Sequence, residues 1–224
     1  MSLPRRLAAE ALGTAFLLAV IVGSGIMAER LAGGNPALAL LANALATGAG
    51  LLALILTFGP ISGAHFNPLV TLVALHHRQI SAADAAAYIA TQCAAAIAGV
   101  LMAHLMFDLP LVTLSTHVRN GASQYLSEFI ASFGLLAVVL SGTRHHPERT
   151  PAAVAAYIVA AYWFTASTAF ANPAVTLARS LTDSFAGIRP QDVPAFMLMQ
   201  LAGALTASVC FGWLLPAAAT TKPV

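Results

Sequence analysis

Charged residues are scarce in this sequence. Only 8% of its 224 residues are Asp, Glu, Lys or Arg, about a third of the fraction in a typical soluble domain. The net charge of +2 is small and scattered, which excludes the basic surface of a nucleic-acid-binding protein. Hydrophobic residues make up 59% of the chain and the mean hydropathy is +0.82. This composition indicates an integral membrane protein.

Cysteine is rare, and clustered catalytic side chains are lacking. Cys93 and Cys210 both fall within apolar stretches, where buried thiols are expected rather than a disulfide. No Ser/His pair, His-Glu-x-x-His run or paired Asp falls inside these stretches. We therefore expect a protein that is not an enzyme and that has no cofactor and no metal site.

Six apolar stretches are long enough to cross a bilayer, which takes roughly 20 residues of helix. The first runs from about Leu7 to Ala28. It follows Arg5 and Arg6 as in a signal peptide, but it is too long for a usual signal sequence, and we interpret it as a retained span. The remaining spans are predicted at about 36–58, 81–107, 123–142, 150–171 and 190–215. The predicted fold class is an all-α membrane protein.

Two short stretches, residues 65–72 and 170–177, interrupt this pattern in the same way. Each contains Asn followed by Pro, the residues preferred at a helix N-cap and at the first helical position. Each therefore predicts a half-helix that begins inside the membrane, at about 68–77 and 172–183. A buried Asn at such a start points its amide N–H donors away from the helix, toward water or a hydroxylated solute. The alternative is that Asn67 and Asn172 only cap their helices.

The two halves of the chain match in order. Glu10 corresponds to Glu128, Gln92 corresponds to Gln200, and one Asn-Pro motif corresponds to the other. Three spans per half is an odd number, so the second half must be inserted upside down relative to the first. The prediction is a single transmembrane domain over 1–224, with inverted repeats at approximately 7–107 and 123–215 linked by 108–122.

The duplicated motif resembles the signature of the aquaporin, or major intrinsic protein, family, in which two Asn-Pro-Ala motifs on half-helices meet at the membrane midplane. The residues that carry the resemblance are Asn67, Pro68 and Leu69 in the first motif and Asn172, Pro173 and Ala174 in the second. Leu69 departs from the family's Ala, and Val175 stands where the family usually has Arg. The resemblance implies a passive channel for small neutral solutes and a homotetramer with one pore per protomer.

Family members also have a narrow outer filter, which spacing from the motifs maps onto Thr47, Ala160, Ala169 and Val175. Water-selective relatives carry aromatic, His and Arg side chains there, whereas these four are uncharged and small or medium in size. The resemblance therefore implies a wide filter that passes water, glycerol-sized polyols, and urea or neutral metalloid hydroxides such as arsenite or methylarsenicals. Arg179 either reaches back into this filter or complements the C-terminal end of its own half-helix, which is the commoner arrangement.

Three further polar residues lie in or beside the predicted spans. Glu10 and Glu128 are predicted to accept hydrogen bonds from the irregular backbone before each half-helix, with a proton relay as the alternative. His65, two residues before Asn67, is predicted to line the pore.

Two other functions stay open, a water-selective aquaporin and a secondary transporter. A transporter would need ligands for a coupling ion at the midplane.

The distribution of basic residues predicts the orientation of the chain in the membrane. Six basic residues lie on the side of the membrane that holds both termini, and four lie on the other side. The six are Arg5, Arg6, Arg78, Arg144, Arg149 and Lys222, and the four are Arg30, Arg119, Arg179 and Arg189. This bias predicts both termini in the cytoplasm, in a bacterial inner membrane.

Overall fold

A computed structural model describes residues 1–215 of the chain. This part contains eight α-helices, one short 3₁₀ helix and no β-strand, which confirms the predicted all-α class. The helices are α1 (Leu3–Leu31), α2 (Pro36–Ser62), α3 (Pro68–His76), α4 (Ala82–Met106), α5 (Ala122–His145), α6 (Thr150–Phe164), α7 (Pro173–Arg179) and α8 (Val193–Leu214). The 3₁₀ helix, Pro190–Asp192, leads into α8. Lys222, counted in the charge bias, lies outside the described residues.

Five segments of the described chain are long and apolar enough to cross a membrane: α1, α2, α4, α5 and Pro190–Leu214. The sixth predicted span, 150–171, is helical only as far as Phe164, so α6 has 15 residues and a length of roughly 22 Å. It ends early because residues 165–171 leave the helix to form the loop before the second motif. Large apolar side chains such as Leu56 and Trp213 are exposed on the outside of the bundle, as expected of a surface that faces lipid.

Two other predicted helix ends need correction. The sequence predicts that the second span ends at about residue 58, but α2 continues through Pro60 to Ser62. Gly63 ends it, because its φ of 89° is a left-handed conformation that glycine adopts without strain. The second half-helix, predicted to reach residue 183, ends at Arg179.

Helices α1 and α4 run side by side in the same direction. Arg6 forms an ion pair with Asp84 (2.6 Å) at one end, and Arg30 donates to the carbonyl oxygen of Phe107 (3.2 Å) at the other. The two helices approach closely because Gly99 packs on the backbone of α1, where any side chain would clash. In the same way, Gly203 of α8 packs on the backbone of α5. We call the end with Arg6 the N-terminal face and the end with residues 107–121 the loop face.

The two half-helices begin near each other in the middle of the bundle and run to opposite faces. Beyond the end of α3, His77 hydrogen-bonds Ser208 of α8 (3.0 Å between Nε2 and Oγ) toward the N-terminal face. Beyond the end of α7, the carbonyl of Ser180 accepts from the backbone N–H of Ser115 (3.0 Å) at the loop face. Together the two half-helices α3 and α7 therefore span the bundle from the N-terminal face to the loop face.

Candidate pore and filter

The two motif asparagines hold each other's loops. Asn67 Nδ2 donates to the carbonyl of Ala171 (2.8 Å), and Asn172 Nδ2 donates to the carbonyl of Phe66 (2.8 Å). Each Oδ1 caps its own half-helix, with Asn67 accepting from the N–H of Leu69 at 2.9 Å. The sequence predicts that both amide donors of each Asn point away from its helix. The structure commits one to the opposite loop, and the second N–H has no partner among the described residues.

Left-handed backbone recurs at matching places in the two loops before these asparagines. Ala64 and Phe66 in the first loop and Ala169 and Ala171 in the second have φ between 47° and 49°. Each such residue costs about 1–2 kcal/mol because its Cβ crowds the following carbonyl oxygen. This strain must be offset by contacts that hold the loops in place.

Two fully buried glutamates provide those contacts. Glu10 accepts from the backbone N–H groups of His65 (2.9 Å) and Phe66 (2.8 Å). Glu128 does the same for Phe170 (2.9 Å) and Ala171 (3.0 Å). Neither carboxylate lines either of the two cavities described below, and both hold the backbone of the loops.

A glutamine locks each glutamate to its half-helix. Gln92 Nε2 donates to Glu10 (2.8 Å) and to the hydroxyl of Thr71 (3.0 Å). Gln200 repeats the pattern with Glu128 (2.6 Å) and Thr176. The two halves of the chain therefore support their loops with matching networks.

Leu69, which departs from the family motif, is fully buried. It belongs to an apolar cluster that also contains Ala131, Ala171 and Ala204. The larger side chain is therefore accommodated inside the apolar core.

A cavity of about 130 Å³ runs past both asparagines through the centre of the bundle. Three of the four predicted filter residues, Thr47, Ala169 and Val175, lie in its wall. His65 also lies there, and it additionally borders a wider space of about 680 Å³ toward the N-terminal face.

The fourth predicted filter residue, Ala160, is misplaced by the sequence argument. It is exposed and lines neither cavity, whereas Thr150, Val154, Ile158 and Tyr162 of the same helix all line the central one. These four recur every four residues and so form one stripe along α6. Ala160 is two residues from the nearest members of the stripe, about 200° around the helix, and therefore faces away from the cavity.

Tyr162 is a wall residue that the sequence argument missed. It is buried, and its hydroxyl lies 3.3 Å from Thr47 Oγ1, so the two side chains meet across the cavity wall. The four-residue period of α6 could have identified it.

Arg179 is the one charged residue in the wall of the central cavity, beside the uncharged filter positions Thr47, Ala169 and Val175. Its side chain is fully buried. Nε donates to the carbonyl oxygen of Ala186, in the segment after α7, and not to a carbonyl of its own half-helix. The guanidinium carbon lies 3.4 Å from the ring centroid of Phe170, within cation–π range.

Residues 108–121, predicted only as a link between the halves, cover the loop-face side of this site. Arg119 Nε donates to the carbonyl of Gly187 (2.7 Å) and Nη1 to that of Ser167 (3.0 Å). Burial lowers the pKa of Arg119, against the attraction of Glu128 and Tyr162. A second, half-buried arginine therefore lies near Arg179 and anchors the loop before the second motif.

Comparison with known proteins agrees with this geometry. The family described as Major intrinsic protein matches residues 1–166. Aquaglyceroporin AqpS of Rhizobium meliloti (strain 1021) is 55% identical over 213 residues, 95% of this chain and 91% of that protein. Aquaporin NIP3-1 of Zea mays is 32% identical over 142 residues, 62% of this chain and 46% of that protein.

The fold also matches a solved structure. The X-ray structure of the aquaglyceroporin from Plasmodium falciparum superposes with a TM-score of 0.72 at 19% identity, covering 95% of both chains. Family match, sequence identity and fold agree, and the chain belongs to the major intrinsic protein family of membrane channels.

Proposed function

We propose that this protein is a passive channel for small uncharged solutes larger than water. Glycerol-sized polyols are the main class, and urea and neutral metalloid hydroxides are further candidates. The observation that carries the proposal is the central cavity, which passes both motif asparagines and has the small or medium side chains of Thr47, Ala169 and Val175 in its wall. The name of the relative with 55% identity, an aquaglyceroporin, supports the same class of solute.

The chemistry of the cavity wall suits a neutral hydroxylated solute. Apolar side chains predominate in the wall, and they include pairs from four helices: Leu17 and Ile21, Leu51 and Ile55, Leu135 and Val139, and Val154 and Ile158. The uncommitted N–H groups of the two asparagines supply donors at the centre. A hydroxyl loses little by exchanging water for such donors, whereas an ion loses its hydration shell. A cation also meets the positive N-terminal ends of α3 and α7.

Secondary transport is the competing function. It requires ligands for a coupling ion, and no Asp or Glu contributes to the wall of either cavity described above. Flux that saturates at low solute concentration or depends on a proton gradient would favour the transporter.

The assembly and placement of the channel belong to the same proposal. We infer a homotetramer with one pore per protomer in a bacterial inner membrane. Both termini lie in the cytoplasm, so the loop face points outward. Inverted repeats over 7–107 and 123–215 are supported by the matching Glu10 and Glu128 networks.

The experiment is stopped-flow light scattering of proteoliposomes in gradients of water, glycerol and urea. We expect fast glycerol entry by the unmodified protein. Val175→Arg should abolish it and retain water flux, because the larger cationic side chain fills the constriction. Val112→Arg, at an exposed position in residues 108–121, is the matched control and should change neither flux. Water flux alone, unchanged by Val175→Arg, would overturn the proposal.

A further inference from the structure

We propose that Arg179 binds the permeating solute directly and selects for neutral molecules that carry oxygen atoms on adjacent carbons. The inference rests on the proposed channel function and names the solute class that its outer constriction prefers. It assigns the charged contact to a residue one helical turn, about 6 Å, beyond Val175 toward the loop face.

The position of Arg179 is fixed from two sides. Nε is bound to the carbonyl of Ala186, and the face of the guanidinium lies on Phe170. Phe170 is itself held by its backbone N–H on Glu128 (2.9 Å). A planar group fixed at one edge and one face keeps a single orientation, so its remaining edge points in a set direction.

That remaining edge is available to a ligand. Neither terminal nitrogen of Arg179 hydrogen-bonds any residue within 1–215, and the residue contributes to the cavity wall beside Val175 and Tyr162. The side chain makes no ion pair in the described chain, even though it is fully buried. A buried guanidinium whose outer donors are unsatisfied is costly unless a visiting acceptor or water completes its hydrogen bonds.

The shape of this donor pair favours certain solutes. The terminal nitrogens of a guanidinium present parallel N–H groups that bind two neighbouring acceptors at once. Hydroxyls on adjacent carbons match this spacing, whereas hydroxyls separated by a methylene must bend the chain to do so. Tyr162 and Thr47 bring their hydroxyls together in the wall of the same cavity and add neutral polar partners. An anion would also be attracted, but the apolar wall beyond Arg179 gives it no further partner.

The test uses two isomers of equal composition and size, propane-1,2-diol and propane-1,3-diol. Their entry into proteoliposomes is measured by stopped-flow scattering, with the rates of protein-free liposomes subtracted. The unmodified channel should pass the 1,2-isomer faster, by about threefold or more, the effect of one additional hydrogen bond. Arg179→Met should bring this ratio close to one while both diols still enter. Arg179→Lys should also lower the ratio, because an ammonium group is a point charge without paired planar donors.

The matched control is Arg30→Met. Arg30 also lies over a phenylalanine ring at the loop face, 5.1 Å from the centroid of Phe107, but it is exposed and outside the cavity. It should leave the ratio unchanged. An equal ratio in the unmodified protein and in Arg179→Met would overturn the inference, as would a lack of preference in the unmodified channel. If Arg179→Met does not fold, Arg179→Lys and the unmodified ratio decide. Failure of the channel function is distinguishable, because then neither diol enters faster than in protein-free liposomes.

Discussion

The ring of Phe66 fills the space that a side chain at position 13 would occupy, because residue 13 is glycine. Phe66 is fully buried, its N–H donates to Glu10, and its carbonyl accepts from Asn172. The absence of a single Cβ on α1 therefore positions the point where the two loops meet.

Gly13→Ala should destabilise the protein. The added methyl group collides with the Phe66 ring, and overpacking of this kind costs about 1–3 kcal/mol. We expect a lower midpoint of thermal unfolding in detergent together with slower glycerol entry. Gly212→Ala is the control, because nothing lies within 4 Å of a Cβ at that helical position. Equal losses in both variants would contradict the role of Phe66.

Glu10→Gln and Glu128→Gln should each also lower the stability of the folded protein. Each substitution turns an amide NH₂ toward backbone N–H groups that need an acceptor, and each buried donor left unsatisfied costs about 1–3 kcal/mol. Both variants should unfold at lower temperature than the unmodified protein, as measured by tryptophan fluorescence in detergent. Glu148→Gln, at an exposed loop position, should have no effect. A stable Glu10→Gln variant with altered proton leak would instead favour a relay.

Asn172→Asp separates the two roles of the motif asparagine. The aspartate keeps the acceptor that caps α7 but loses the donor to the carbonyl of Phe66. We expect the variant to fold, with helix content by circular dichroism near that of the unmodified protein, but with changed glycerol flux and a measurable cation leak. Asn172→Ala should lose the cap as well, at a further cost of about 1 kcal/mol. Unchanged flux and unchanged ion exclusion in both variants would mean that the Asn only caps its helix.

The hydrogen bonds that attach residues 108–121 to Asp183 should weaken at acid pH. The backbone N–H of Thr116 donates to Asp183 (2.8 Å) and, with help from the Thr116 hydroxyl, holds the pKa of that carboxyl below its usual value. A carboxyl with a lowered pKa in the folded state contributes stability above the unfolded pKa of about 3.9, and this contribution disappears as the pH falls through the folded pKa.

Hydrogen exchange at the Thr116 amide should therefore rise, relative to the intrinsic exchange rate, below about pH 4. Asp183→Asn should remove most of this pH dependence. Asp108→Asn, an exposed position in the same segment, should retain it. The same pH dependence of Thr116 protection in Asp183→Asn and in the unmodified protein would show that Asp183 does not hold the segment.

The parts of the fold that depend on local chemistry were predictable. Asn followed by Pro placed the start of both half-helices, because the cap and the first helical position are decided by adjacent residues. Ala160 was misplaced because counting back from Asn172 ignores the rotation of α6, whose stripe ending at Tyr162 shows which side faces inward.

The orientation of Arg179 could not be read from the sequence. It depends on where the chain returns after α7, since the carbonyl of Ala186 and the ring of Phe170 decide it. The contacts of Arg119 with Gly187 and Ser167 are likewise set by the path of distant segments. Long-range contacts of this kind leave no local pattern.

Each motif asparagine donates a hydrogen bond to the opposite loop, so the bond that the first asparagine donates can form only after the second half of the chain is made. Asn67 needs the carbonyl of Ala171, which lies 104 residues further along the chain. At synthesis rates of about 5–20 residues per second, the ribosome takes roughly 5–20 s to produce that partner. During this interval Asn67 can cap its own half-helix, but its donor lacks the partner that it has in the folded protein. A truncated product without the second half therefore lacks both hydrogen bonds that join the two loops.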